Sequence, residues 1–127
     1  MTSMPCPCTS GKPYDSCCGP YHQHRASAKT VKQLMRSRYC AYALGGLGDY
    51  LLETWHPSAH GDLTAASLSE KTLDWQGLKV LDFRHKGDEG MVKFEARYLN
   101  NDGSPGLLQE VSRFVRVKGK WLYLDSN

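Results

Sequence analysis

Val31, Leu34, Met35, Tyr39 and Tyr42 recur at intervals of three and four, the spacing that keeps one face of an α-helix apolar, and predict a helix over 28–44. Thr30 is placed to cap its entry, and Gly45, Gly46 and Gly48 stop it. A second helix is expected over 49–55, with Asp49 as N-cap, Tyr50, Leu51 and Leu52 as its apolar surface and Pro57 ending the run. A third is expected over 64–72.

After Trp75 the period changes from helical to two. Residues 90–99 alternate Val92, Phe94, Ala96 and Tyr98 with Lys93, Glu95 and Arg97, the signature of a half-buried antiparallel strand. Asn101, Asp102, Gly103, Ser104, Pro105 and Gly106 form a loop dense in turn residues. Segments 107–117 and 120–125 read as strands joined at Lys118 and Gly119, where glycine supplies the positive φ of a tight hairpin. Helices followed by a meander of about four strands predict an α+β fold, helices packed on a curved antiparallel sheet. Residues 1–26 lack apolar periodicity and are rich in Cys, Pro, Gly, Ser and His, so they need a staple; the α+β body is expected over 27–127.

A length of 127 residues suits one ordinary domain. No stretch approaches the roughly 20 apolar residues that span a bilayer, and Met1 to Met4 leads into cysteine and proline rather than a signal-peptide core. A cytoplasmic location without membrane insertion is the expectation. Clustered thiols in that reducing compartment are read first as metal ligands or redox groups. The net charge of +3 is uneven, since the first 43 residues set Lys12, Arg25, Lys29, Lys32, Arg36 and Arg38 against Asp15 alone. Such a basic third suits an acidic partner surface; the plainer alternative is a solvated helix face.

Cys6 and Cys8 flank one residue, and after a gap Cys17 and Cys18 stand side by side. Four thiolates can close a tetrahedral shell around Zn²⁺, which marks a structural rather than a catalytic site. Thr9, Ser10, Gly11, Lys12 and Pro13 give the chain the turn chemistry to bring the pairs together. Amides near Gly11 and Gly19 are candidate donors to the sulfurs, and Lys12 can offset their charge. Adjacent side chains diverge in regular structure, so a turn must realign Cys17 and Cys18. Two disulfides, a redox-active vicinal pair and free thiols compete with the zinc reading, and His22 or His24 is an alternative ligand.

The run Cys6-Pro7-Cys8-Thr9-Ser10-Gly11-Lys12-Pro13-Tyr14-Asp15-Ser16-Cys17-Cys18-Gly19 resembles the SEC-C motif, the zinc module at the end of the bacterial SecA motor, with Thr9 where that motif usually has glycine. Leu34 to Tyr42, Tyr50-Leu51, Thr54-Trp55-His56-Pro57, Ser112-Arg113-Phe114 and Trp121 to Asp125 resemble the YchJ family of SEC-C-containing proteins, also termed UPF0225. The resemblance implies a cystatin-like, nuclear transport factor two-like body: a curved sheet wrapped on helices around a cavity. Many family members carry a second SEC-C motif at the C-terminus, which this sequence lacks, so a function needing two such modules is not expected. In SecA the motif contacts the chaperone SecB and the ribosome. The implied partner is therefore an acidic chaperone, a translocation component or a ribosomal component, with nucleic acid reached only through the ribosome.

A second candidate site is the cavity that such a fold implies. Arg36, Arg38, Tyr39, Trp55, His56, Glu110, Ser112 and Trp121 are its candidate lining, with His56 and Glu110 as an acid and base pair and an arginine to hold an anion. The plainer reading makes Arg38 a buried ion-pair partner of Glu110, the aromatics core residues, and Cys40 a small buried hydrophobe. No nucleophile motif, phosphate loop or open three-ligand metal site is present, so a zinc-bearing adaptor is expected in preference to an enzyme. Metal loss is expected to unfold residues 1–26 and spare the sheet.

Overall fold

The computed structural model describes residues 4–70 and 73–126. A single turn of 3₁₀-helix at Tyr14–Ser16 leads into the short helix α1 (Gly19–His22), followed by α2 (Val31–Leu44), α3 (Gly48–Glu53) and α4 (Ala65–Leu68). Four strands follow: β1 (Asp74–Lys86), β2 (Glu89–Leu99), β3 (Pro105–Val117) and β4 (Lys120–Ser126). They form one antiparallel meander in the order β1-β2-β3-β4, so the α+β reading of the sequence holds.

Helix α2 starts where its cap is. The Thr30 hydroxyl accepts the Gln33 amide at 3.1 Å, and Gly45 at φ +73° ends the helix. Asp49 does not cap α3; Leu47 holds the N-cap position and Asp49 lies in the first turn, where a carboxylate favours the helix dipole. The third helix is a single turn, capped by a reciprocal Thr64–Ser67 box. Residues 71 and 72 of the expected helix lie outside the described residues.

The alternation of β2 is realised, with Val92, Phe94 and Ala96 buried against α2 and Lys93 and Arg97 exposed. Register shifts between Trp75 and Gly77, between Val80 and Asp82, and between Arg113 and Phe114 bend the sheet around that helix, because an unpaired residue adds local twist. Lys118 and Gly119 both take positive φ, +52° and +79°, in the hairpin between β3 and β4. The main core joins Val31, Leu34, Met35 and Tyr39 of α2 to Leu78, Val92, Phe94, Ala96, Phe114 and Trp121 of the sheet. Cys6, Cys8, Cys18 and Cys40 belong to the same core. A second, smaller core holds Ala41, Tyr50, Leu51 and Leu68.

Candidate metal centre

The N-terminal segment folds as a small hairpin. Cys6 N–H donates to Lys12 O at 2.9 Å, Tyr14 N–H to Met4 O at 2.9 Å, and Pro5 pairs with Pro13. Thr9 stands at its tip at φ +62°, a left-handed conformation that β-branched residues rarely accept. Its side chain offsets the cost: the hydroxyl donates to Leu78 O at 2.8 Å and accepts the Leu78 amide at 3.3 Å, clipping the tip to β1. The glycine usual to the motif suits this backbone without strain.

Cys17 has an irregular backbone, φ −123° and ψ −97°, between the 3₁₀ turn and α1, while Cys18 already has helical angles. This is the turn that adjacent ligands require, and it brings their sulfurs to 4.0 Å. The four sulfurs of Cys6, Cys8, Cys17 and Cys18 all lie within 4.8 Å of one another, with Cys8 Sγ 3.5 Å from Cys17 Sγ. Tetrahedral thiolates at the Zn–S length of about 2.3 Å stand about 3.8 Å apart, so the donor set fits such an ion. Cys6, Cys8 and Cys18 are buried and Cys17 is half-buried.

The sulfurs are linked to one another. Hydrogen bonds from Cys18, then Cys40 and Cys8, favour the thiolate of Cys6 and hold its pKa far below the usual thiol range. Cys18, in hydrogen bonds with Cys40, Cys6 and Cys8 and buried as well, is pushed far above it. A cation entering such a cluster displaces the remaining protons, which is how metal affinity becomes pH-dependent. Besides Cys40, the Ser10 hydroxyl reaches the four sulfurs, 3.1 Å from Cys17 Sγ, and the backbone donor to Cys6 is that of Cys8, whereas the expected donors were amides near Gly11 and Gly19.

Neither histidine joins the sulfurs. His22 is buried, with Nδ1 accepting from the Tyr14 hydroxyl at 2.7 Å and Nε2 donating to Ser37 O at 2.8 Å, and Tyr50 packs edge-on against its ring. Burial lowers its pKa, which keeps the ring neutral, and burial raises Tyr14 to about 12, which keeps the phenol a donor. Exposed His24 pairs with Glu53 at 2.8 Å. Two residues of this centre were not anticipated: His22 as its tie to α2, and Cys40, whose sulfur lies 3.8 Å from Cys6 Sγ. Only the polar group four residues beyond Cys18 hinted at the first; nothing in the spacing marks Cys40, 34 residues from Cys6 in the chain.

Arg36 belongs here too, its Nη1 donating to Cys8 O at 3.1 Å. With Lys12 and Lys32 it lines a groove of about 310 Å³ over Cys17 and Cys18, completed by Ser10, Ser16, Tyr21 and Gln33. A separate cavity of about 220 Å³ lies between α2 and the sheet, and Arg38, Tyr39, Trp55, Glu110 and Ser112 line it. His56 and Trp121 do not. His56 Nδ1 accepts from Ser58, and Trp121 packs beneath Arg116 in the core, so no pairing of His56 with Glu110 forms across the cavity. Nor does Arg38 pair with Glu110: its Nη1 donates to Leu51 O and Thr54 Oγ1, both at 2.7 Å, and its guanidinium lies over the rings of Trp55 and Tyr123.

Residues 30–126 match the family model described as the YchJ middle, nuclear transport factor two-like domain. The chain belongs to the YchJ family. It is 44% identical over 123 residues to a UPF0225 protein of Deinococcus radiodurans, covering 96% of this chain and 88% of that one. A UPF0225 protein of Streptomyces coelicolor is 41% identical over 128 residues, covering 98% and 96%. The solution structure of a SEC-C motif containing protein from Rhodopseudomonas palustris superposes with a TM-score of 0.88 at 36% identity, over 98% of each chain. The YchJ body and the SEC-C hairpin thus stand together on one chain. No helix of the described residues is long and apolar enough to cross a membrane.

Proposed function

We propose that Cys6, Cys8, Cys17 and Cys18 hold a structural Zn²⁺, and that the face over this site docks an acidic protein partner in the cytoplasm, a chaperone, translocation or ribosomal component. The zinc assignment rests on four converging sulfurs, soft donors that favour zinc in a closed tetrahedral shell. A shell closed by four thiolates has no position for a substrate, which favours an adaptor over an enzyme. The domain division at residue 26 belongs to the same reading, with the hairpin as the docking module and the α+β body as its carrier.

One observation carries the docking surface: the groove over Cys17 and Cys18 is lined by Lys12, Lys32 and Arg36 and by no carboxylate. Three cations of one sign around a rigid metal site attract an acidic face and speed its encounter. A photocrosslinking side chain at Gln33, used in a bacterial extract, tests this. Capture of an acidic protein, lost in a Lys12→Glu/Lys32→Glu variant and at high salt, is the expected result. Crosslinks to RNA, or to the same protein regardless of charge and salt, would contradict it. A small-ligand cavity is the second reading, favoured by the unpartnered indole N–H of Trp55.

A further inference from the structure

The cavity between α2 and the sheet is unusual in what its walls leave unpaired. Arg38 is 4% exposed, and a buried cation ordinarily has a carboxylate against it. Here its guanidinium meets neutral oxygens, Leu51 O, Thr54 Oγ1 and the Tyr42 hydroxyl, and its flat faces meet Trp55 and Tyr123. Glu110 lines the same cavity without forming an ion pair with it. Two residues of the wall carry a buried polar atom that is poorly met: Trp55 Nε1 has no hydrogen-bond partner, and the Tyr39 hydroxyl has only the backbone of Gly77 near it. Buried polar groups without partners are rare in native proteins, and each calls for a reason.

The three groups share a chemistry. Guanidinium and indole N–H can only donate, and a phenol donates readily. A wall of unmet donors around a full positive charge calls for a ligand that brings acceptors and negative charge, which a carboxylate does. Most of the remaining lining sets the rest of the ligand: Met35, Trp75, Phe94, Ala96 and Leu108 are apolar or aromatic, while Glu110, Ser112 and Ser126 make one part of the wall polar, so the ligand's carboxylate belongs at the Arg38 end. Trp75 already packs edge-on to Tyr39 and to Tyr98, so the aromatic walls are fixed in place. A volume of about 220 Å³ is small; a dry cavity of about 150 Å³ takes benzene, so this one takes one ring with one substituent.

We propose that this cavity binds a single-ring aromatic carboxylate, its carboxylate on Arg38 and the Trp55 indole and its ring against Trp75 and Phe94. The ligand supplies the carboxylate that Glu110, elsewhere on the wall, does not bring to Arg38, and the cation and the indole fix its orientation. This binding is independent of the zinc site, which lies on the other side of α2 among Cys8, Cys17 and Arg36.

Titration of the full chain with benzoate, followed on the indole N–H signals by nuclear magnetic resonance, tests the inference. The Trp55 signal is assigned by its loss in Trp55→Phe. Benzoate should shift that signal saturably, and the isosteric neutral benzamide should bind at least tenfold more weakly, since hydrogen bonds to a charge exceed neutral ones by about that factor. Arg38→Gln should abolish the preference for benzoate, and Ala96→Leu, which fills the cavity, should abolish binding of both. Should Arg38→Gln fail to fold, the comparison of benzoate with benzamide on the native chain still decides. The absence of a saturable shift up to about 10 mM benzoate, or equal binding of the two compounds, would overturn the proposal.

Discussion

His22 donates from Nε2 to the backbone carbonyl of Ser37 at 2.8 Å, so the cysteine hairpin is fastened to the middle of α2 by an imidazole that takes no part in the sulfur cluster. Tyr14 donates to the other ring nitrogen, and Ser37 Oγ in turn meets the Tyr50 hydroxyl at 2.6 Å. Replacing His22 with phenylalanine keeps the ring and removes both bonds. We expect a loss of about 1–2 kcal/mol for the two hydrogen bonds, since Ser37 O, inside α2, keeps its helical bond and the Tyr14 hydroxyl is only part-buried. Urea unfolding measures it.

The same residue gives a pH dependence with a definite sign. Its pKa is lowered in the folded chain by burial, so the unfolded chain binds the proton more readily. The stabilisation is therefore complete above the unfolded value of about 6.5 and is lost as pH falls below it. Melting temperatures of the native chain should fall more steeply between neutral and mildly acid pH than those of His22→Phe. Parallel curves would count against the neutral, doubly bonded ring.

Thr9 separates backbone strain from side-chain bonding. Thr9→Gly relieves about 1–2 kcal/mol of left-handed strain but forfeits the clip to Leu78, worth about 0.5–1.5 kcal/mol, so it should leave stability nearly unchanged. Thr9→Val retains the strain and loses the clip, and should destabilise by about 1–2 kcal/mol. A valine variant as stable as the glycine variant would contradict this account.

Gly48 tests the body independently of the hairpin. A Cβ there would stand 1.7 Å from Ala65 O, a backbone atom of α4 that cannot turn aside. Gly48→Ala should cost more than about 2 kcal/mol by forcing α3 and α4 apart, while leaving metal content unchanged. Elemental analysis beside thermal unfolding checks both halves of that expectation.

The elements that rest on local chemistry were legible in the sequence. Thr30 caps α2, the alternation from Val92 to Tyr98 sets the buried face of β2, and Lys118-Gly119 turns the last hairpin. Four cysteines close together in the chain are also close together in space. What was not legible depends on contacts between distant segments. Asp49 looked like a cap because it precedes apolar residues, but the close approach of α4 places Gly48 inside the helix. Cys40 read as a small hydrophobe, and it is buried; that its sulfur also meets Cys6 follows only from the docking of the hairpin on α2. The expected Arg38–Glu110 pair fails because the end of α3 offers Arg38 two oxygens and an indole face first. The hairpin was expected to be apolar-poor and held by metal alone, yet three of its cysteines pack in the main core.

The most direct test of the central claim is metal content measured with thiol reactivity, on protein purified under reducing conditions without added zinc. The account predicts one zinc per chain and no thiol that reacts quickly, since Cys6, Cys8, Cys17 and Cys18 are ligands and Cys40 is buried against them. A strong chelator should then release the zinc and expose all of the cysteines. A chain without zinc whose hairpin thiols react freely, or one holding iron instead, would contradict the structural zinc site.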